Sequence, residues 1–170
     1  MADLTRGRVI AKVRAGESLE GADLSGLDIT GANLSSGDLK RANLKGANLT
    51  GAYLTGTHLE GASLERADLR SARLRNANLS EANLSGAKLV RTDMSGANLS
   101  GANLSDADLS DANLWKANLS GANLLHANLT RALMAMANLK GANLKQADLT
   151  DTKLIKTELN DTILPEGFEE

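Results

Sequence analysis

An all-β solenoid is the fold this sequence predicts, and three observations carry the prediction. An apolar residue recurs at every fifth position without a break. Inside each unit the order small, polar, large apolar has the alternation of a strand. The two positions left over are mostly polar and often hold Gly or Ser, with Asp or Asn in a few units, all residues that chain bends accept.

The five-residue period sets everything else. Every residue from Leu19 to Leu164 whose number ends in 4 or 9 is apolar, thirty in all: 27 Leu, Ile29, Met94 and Met134. Two residues earlier stands Ala in 22 units and Thr in five (Thr57, Thr92, Thr152, Thr157 and Thr162), with Glu17, Leu27 and Gly37 as exceptions. The residue just before the large apolar one is Asn in 13 units and Asp in seven, and the second residue after it is Gly in 12. An α-helix cannot use this period: at about 100° per residue, successive leucines would step around the whole cylinder and leave no dry face. A straight strand cannot use it either, because an odd repeat throws alternate leucines to opposite faces. A sharp bend once per unit returns each Ala–x–Leu to the inside, so the chain winds into a coil filled with leucine and alanine.

Composition narrows the function classes. The 170 residues hold only three aromatics (Tyr53, Trp115 and Phe168), no cysteine, one proline (Pro165) and a formal net charge of −2. Disulfides, thiolate metal sites and a cysteine nucleophile are excluded together. The charge is too mild to argue for a nucleic-acid partner. No apolar run approaches a membrane span, and the N-terminal stretch has no uninterrupted apolar core for a signal peptide. A cytoplasmic protein is expected.

Units such as Ala97-Asn98-Leu99-Ser100-Gly101 and Ala102-Asn103-Leu104-Ser105 resemble the A(D/N)LXX motif of the pentapeptide repeat proteins. The resemblance covers about residues 17 to 166. It implies a right-handed quadrilateral β-helix in which four units close one square coil, which for thirty units makes about 7.5 coils. The organisation expected is an N-terminal cap segment (1–16), the repeat array (17–164) and a C-terminal tail or cap (165–170). Leu4, Val9, Ile10 and Val13, with four basic residues, make 1–16 a short amphipathic helix or an irregular plug. Phe168 is placed to fold over the last coil.

With residues 20 apart stacked, the outward positions sort into four faces. The face through Leu34, Leu54, Leu74, Met94, Leu114, Met134 and Leu154 carries Arg73, Arg75, Lys116, Lys153 and Lys156 against Asp93 alone, a net of +4; the others are negative. The same face places Trp115, Ala135 and Ile155 in one column, flanked by Leu133 and Met136, where the repeat calls for polar residues. A contiguous apolar patch marks an interface, and Trp is enriched in binding hot spots. The candidate site is therefore Trp115, Leu133, Met136 and Ile155, with Lys116 and Lys156 beside them. Two readings stand for it: contact with another protein, most often a second copy given the C-terminal association known in the family, or a lid formed by the chain's own tail.

Other features carry less. Columns Asn78, Asn98, Asn118, Asn138 and Asn83, Asn103, Asn123, Asn143 read as amide ladders. Asp28, Asp68, Asp108 and Asp148 form a spaced acidic row, interrupted by Arg70, Lys88, Arg91 and Arg131. His58 and His126 project from different faces, about 16 Å apart along the axis at ~4.8 Å per coil. A filled interior offers an enzyme no concave pocket, so neither catalysis nor a cofactor nor a metal is expected. The leading expectation is a non-catalytic rod presenting flat faces to a protein partner or to itself. The resemblance also implies a second reading, because some family members bind type II topoisomerases such as gyrase by imitating B-form DNA. Those members are generally more acidic, often have Phe at the central position and carry a loop that breaks the array; this chain has none of the three. Units such as SGANL also fit recent duplication or consensus design, against which the irregular outward residues Tyr53, His58, Trp115, His126 and Leu133 speak.

Overall fold

The computed structural model describes residues 4–168. One α-helix, α1 (Arg6–Arg14), precedes a coil of tight corners joined by single-residue parallel bridges. Every bridge links residues 20 apart, from Asp23 with Asn43 to Asn143 with Ile163, so four five-residue units close each turn. The strand-like stretches are one bridge residue long because a corner follows within two residues on either side. The interior is as the period requires. From Leu34 to Leu144 every central residue is fully buried, and Ala fills nearly all of the small positions between them.

A single unit shows how the backbone is satisfied. The Ala102 N–H donates to the Leu99 carbonyl (3.0 Å) and closes the corner. The Asn98 N–H donates back to Ala77 (2.9 Å), while the Leu99 and Gly101 N–H groups donate forward to Asn118 and Ser120 (2.6 and 2.9 Å). Four of five donors are thus paired with backbone, and the fifth, on Ser100, donates to Asn98 Oδ1 (3.2 Å). That last bond is an Asx turn, and it gives Asn and Asp a local reason to precede the leucine. Asn has a second use, since its amide donates to the carbonyl oxygen of the Asn one coil earlier, as in Asn98 to Asn78 (3.1 Å) and Asn123 to Asn103 (3.3 Å).

The corner explains the glycines. At every corner from Gly21 to Asp161, the second residue after the large apolar one has φ near +60°. A hydrogen-bonded turn with positive φ at its third residue is the type II arrangement, which favours Gly. Twelve of these corners hold Gly, and seventeen hold other residues, among them Arg41, Glu81, Lys116 and Met136.

Threonine at the small position is also accounted for. Thr57 and Thr92 are fully buried, and their hydroxyls donate to the carbonyls of Leu34 and Leu69 (both 3.0 Å). Thr152, Thr157 and Thr162 tie the last coil to Leu129, Met134 and Leu139 in the same way (2.8, 2.9 and 2.8 Å).

The two ends differ. Helix α1 begins at Thr5, whose hydroxyl accepts from the Arg8 N–H (3.4 Å), and it buries Val9 completely. Leu4, Ile10 and Val13 pack against the same core, and the Arg6 guanidinium donates to the Thr30 carbonyl (3.1 Å). At the far end Leu149, Leu154 and Leu159 are only partly buried. There Pro165 and Glu166 line a hollow with Lys145, Gln146 and Ala147, and the Phe168 N–H donates to the Pro165 carbonyl (3.3 Å).

Candidate functional site

The 20-residue turn makes the outer surface a set of columns. One corner column runs Arg75, Ser95, Trp115, Ala135, Ile155, and the adjoining bridge column runs Arg73, Asp93, Asn113, Leu133, Lys153. Between them lies a groove of about 680 Å³ lined by Trp115, Leu133, Ala135 and Ile155, with Lys116, Lys153 and Arg75 at its rim. Trp115 is 45% exposed, Leu133 48% and Ile155 65%. Their exposure follows from the register: the interior is already filled by Leu114, Met134 and the alanines, so a large side chain at an outward position has nowhere to go.

Of the six residues the sequence singles out, the structure brings four together in the groove: Trp115, Lys116, Leu133 and Ile155. Met136, 46% exposed, and Lys156 stand in the next column, beside the groove and outside its lining. Arg75 and Lys153 belong to the lining as well. Both were legible as charges of this face, but their place at the rim depends on which columns adjoin. The low side of the groove comes from Ser95 and Gly96, small residues one coil before Trp115.

The electrostatics of the face are one-sided. Asp93, its single acid, is paired with the Arg75 guanidinium (2.5 Å). Burial works to raise the Asp93 carboxyl, but hydrogen bonds from the Ser95 hydroxyl and from Arg75 outweigh it and hold the group below its ordinary value. Asp93 is therefore ionised and neutralised by Arg75. The Lys116 ammonium lies over the Trp115 ring, 4.3 Å from its centroid, and further along the face Arg73 lies over Tyr53 at 4.8 Å.

The other candidates resolve into structural contacts. Asp28, Asp68, Asp108 and Asp148 share one bridge column with Asn48, Lys88 and Asn128. Each Asp accepts the N–H two residues on, and Asp68 also holds Arg70 (2.6 Å). His58 faces Glu60 (3.5 Å), and His126 spans Asp106 and Gln146 in the coils on either side (3.3 and 3.0 Å). Among the described residues no group of three His, Asp or Glu side chains is placed to hold a metal ion, and no helix is long and apolar enough to cross a membrane.

A chain that closes a coil every four units, fills it with Leu and Ala and pairs its turns by parallel bridges is a β-helical repeat protein. The pentapeptide repeat family model matches it in eight copies, over residues 18–46, 47–86, 77–115, 97–134, 107–146 and 127–164, and the chain belongs to that family. Among solved structures it is similar to the pentapeptide repeat protein Rfr23 of the cyanobacterium Cyanothece 51142, with 43% identity and a TM-score of 0.53 over 54% of this chain. The match spans 63% of Rfr23's length. It is also similar to alr5209, a pentapeptide repeat protein of Nostoc PCC 7120, with 27% identity and a TM-score of 0.53 over 97% of this chain and 88% of that one. HetL, a pentapeptide repeat protein of Nostoc PCC 7120 involved in heterocyst differentiation regulation, aligns over 99% of this chain and 100% of its own at 29% identity, with a TM-score of 0.43. No curated protein sequence matches.

Proposed function

We propose that this chain is a non-catalytic interaction module, a right-handed four-sided rod of about 7.5 coils that presents the Trp115 face to a protein partner or to a second copy of itself. The observation that carries the reading is the groove itself. Trp115, Leu133 and Ile155 stand exposed on adjoining coils, with Met136 beside them, in an array whose outward positions are mostly polar; Tyr53 and Ile163 are the other exposed large apolar residues among the described ones, and neither lines the groove. A rod with a filled interior cannot close around a substrate, but it holds a flat face rigid at no conformational cost on binding. Trp115, Leu133, Met136 and Ile155 act as anchors, and Lys116 and Lys156 set orientation. Pro165 and Glu166 lie against Lys145 to Ala147, half a turn round the coil from the groove, which supports contact with another molecule over a lid formed by the tail.

The test is the solution molar mass by light scattering for the wild type and for Trp115→Lys. A dimer that becomes a monomer assigns the face to self-association. A monomer in both cases assigns it to another protein, and capture of that protein must then fail with the variant. Unchanged assembly and unchanged capture in Trp115→Lys would overturn the reading.

A further inference from the structure

We infer that the groove receives an extended acidic segment of a partner protein, with one bulky apolar side chain of that segment seated on Ala135 between Trp115 and Ile155. The inference rests on the reading above and adds the partner's chemistry to it.

The shape comes from the column. Trp115, Ala135 and Ile155 follow one another on successive coils, and with about 4.8 Å between coils the two large side chains stand about 10 Å apart. The methyl of Ala135 is the floor of this notch and Leu133 its side wall. Taking off about 2 Å of van der Waals radius on each side leaves a gap of about 6 Å, which accepts one phenyl ring or one aliphatic side chain.

The charge comes from the rim. Lys116, Lys153 and Arg75 line the groove and no carboxylate does. Asp93 is taken by Arg75, and among the described residues no ion pair engages Lys116 or Lys153. A wholly apolar partner would strip water from these two ammonium groups and give nothing back, a cost of the kind that makes unpaired buried charges destabilising. Carboxylates on either side of one apolar residue answer both features. The contact over Trp115 adds to this: a carboxylate that draws the Lys116 ammonium outward bares the indole face to the incoming side chain. The chain as a whole is net −2, so an acidic segment is attracted to this face and repelled by the others.

Trp115 is the chain's single tryptophan, so its fluorescence reports on the groove alone. The full-length protein is titrated with a peptide carrying a central Phe flanked on both sides by Glu, and with the same peptide bearing Gln for every Glu. The acidic peptide is expected to bind at least about ten-fold more tightly at low ionic strength, an advantage that shrinks as salt is added. Lys116→Glu with Lys153→Glu abolishes the advantage, and Ala135→Leu, which fills the notch, weakens the acidic peptide by at least about ten-fold. These positions lie outside the core, so the melting temperatures of the variants stay close to that of the wild type. Equal affinity for the two peptides overturns the acidic partner while leaving the interaction face standing. Absence of binding by the acidic peptide overturns the inference, and so does tighter binding of a single-stranded oligonucleotide, which would make the rim a polyanion site. Failure of the interaction face itself is read elsewhere, in the unchanged assembly of Trp115→Lys.

Discussion

Val13 of helix α1 occupies the space beside Gly37: a Cβ built on that glycine would lie 3.2 Å from Val13 Cγ1. Ala is the common residue at this position of the repeat, but at Gly37 helix α1 and the coil together leave it no room. The same Cβ would meet the Leu39 side chain at 3.0 Å and the Leu34 carbonyl at 2.9 Å, which leaves it no direction of escape.

Restoring the common residue should therefore harm the protein. Gly37→Ala is expected to lose about 1 kcal/mol net, because overpacking of about 1–3 kcal/mol is offset in part by the reduced freedom of the unfolded chain. Val13→Ala in the Gly37→Ala background should return part of the loss. A double-mutant cycle by denaturant unfolding measures the coupling, and additive effects would refute a shared space.

At Gly121 the argument is conformational alone. Its φ is +65° and no atom would come within 4 Å of an added Cβ. Gly121→Val should cost about 1–2 kcal/mol, the penalty of holding a branched residue in the left-handed region. Gly121→Asn should cost markedly less, since Asn tolerates that region. Equal losses in the two variants would show that something other than φ decides this corner.

Thr92 is buried without strain because its hydroxyl donates to the Leu69 carbonyl (3.0 Å). Thr92→Val keeps the shape and deletes the donor, so the expected loss is about 1 kcal/mol, or about 2–4 °C in melting temperature for a chain of this size. A melting temperature equal to the wild type's would assign the threonine to size alone.

Acid should weaken the corners that Asp closes. In Asp23, Asp28 and Asp148 the carboxyl is held below its ordinary value first by a side-chain hydroxyl (Ser25, Thr30 and Thr150) and then by the backbone N–H of the same residue. A depressed folded value means that the stabilisation is present above about pH 4, near the unfolded value, and is lost as pH falls through the folded values below it. Replacing all three by Asn keeps an acceptor for the corner N–H, as Asn48 does for Thr50 (3.1 Å), and removes the titration. The acid unfolding midpoint of the triple variant should move to lower pH; an unmoved midpoint would place the acid sensitivity elsewhere.

The coil was legible in the sequence because one rule, an apolar residue every five, repeats without a break, and the small residue two before it has few exceptions. The exceptions were not legible, and each needed the third dimension. Gly37 reads as an irregular unit until Val13, Leu39 and the Leu34 carbonyl are seen around it. Thr92 differs from Ala only by atoms whose partner lies 23 residues earlier in the chain. Asn98 was readable as a ladder residue, but its bond to the Ser100 N–H shows only once the corner is built. The groove was half legible. Trp115 and Ile155 betray themselves as large apolar residues in polar positions, and the 20-residue turn stacks them. Met136 has the same signature yet stands outside the lining, in the corner column it shares with Lys116 and Lys156.

The central claim is that one face of this rod makes the contact, and site-specific photo-crosslinking tests it most directly. A photoreactive phenylalanine analogue is placed at Ile155, in the groove, or at Leu125, half a turn round the coil. The account predicts protein adducts from position 155, lost when Trp115→Lys is added, and none from position 125. Equal adducts from both positions, or adducts from 155 that persist in Trp115→Lys, would contradict it.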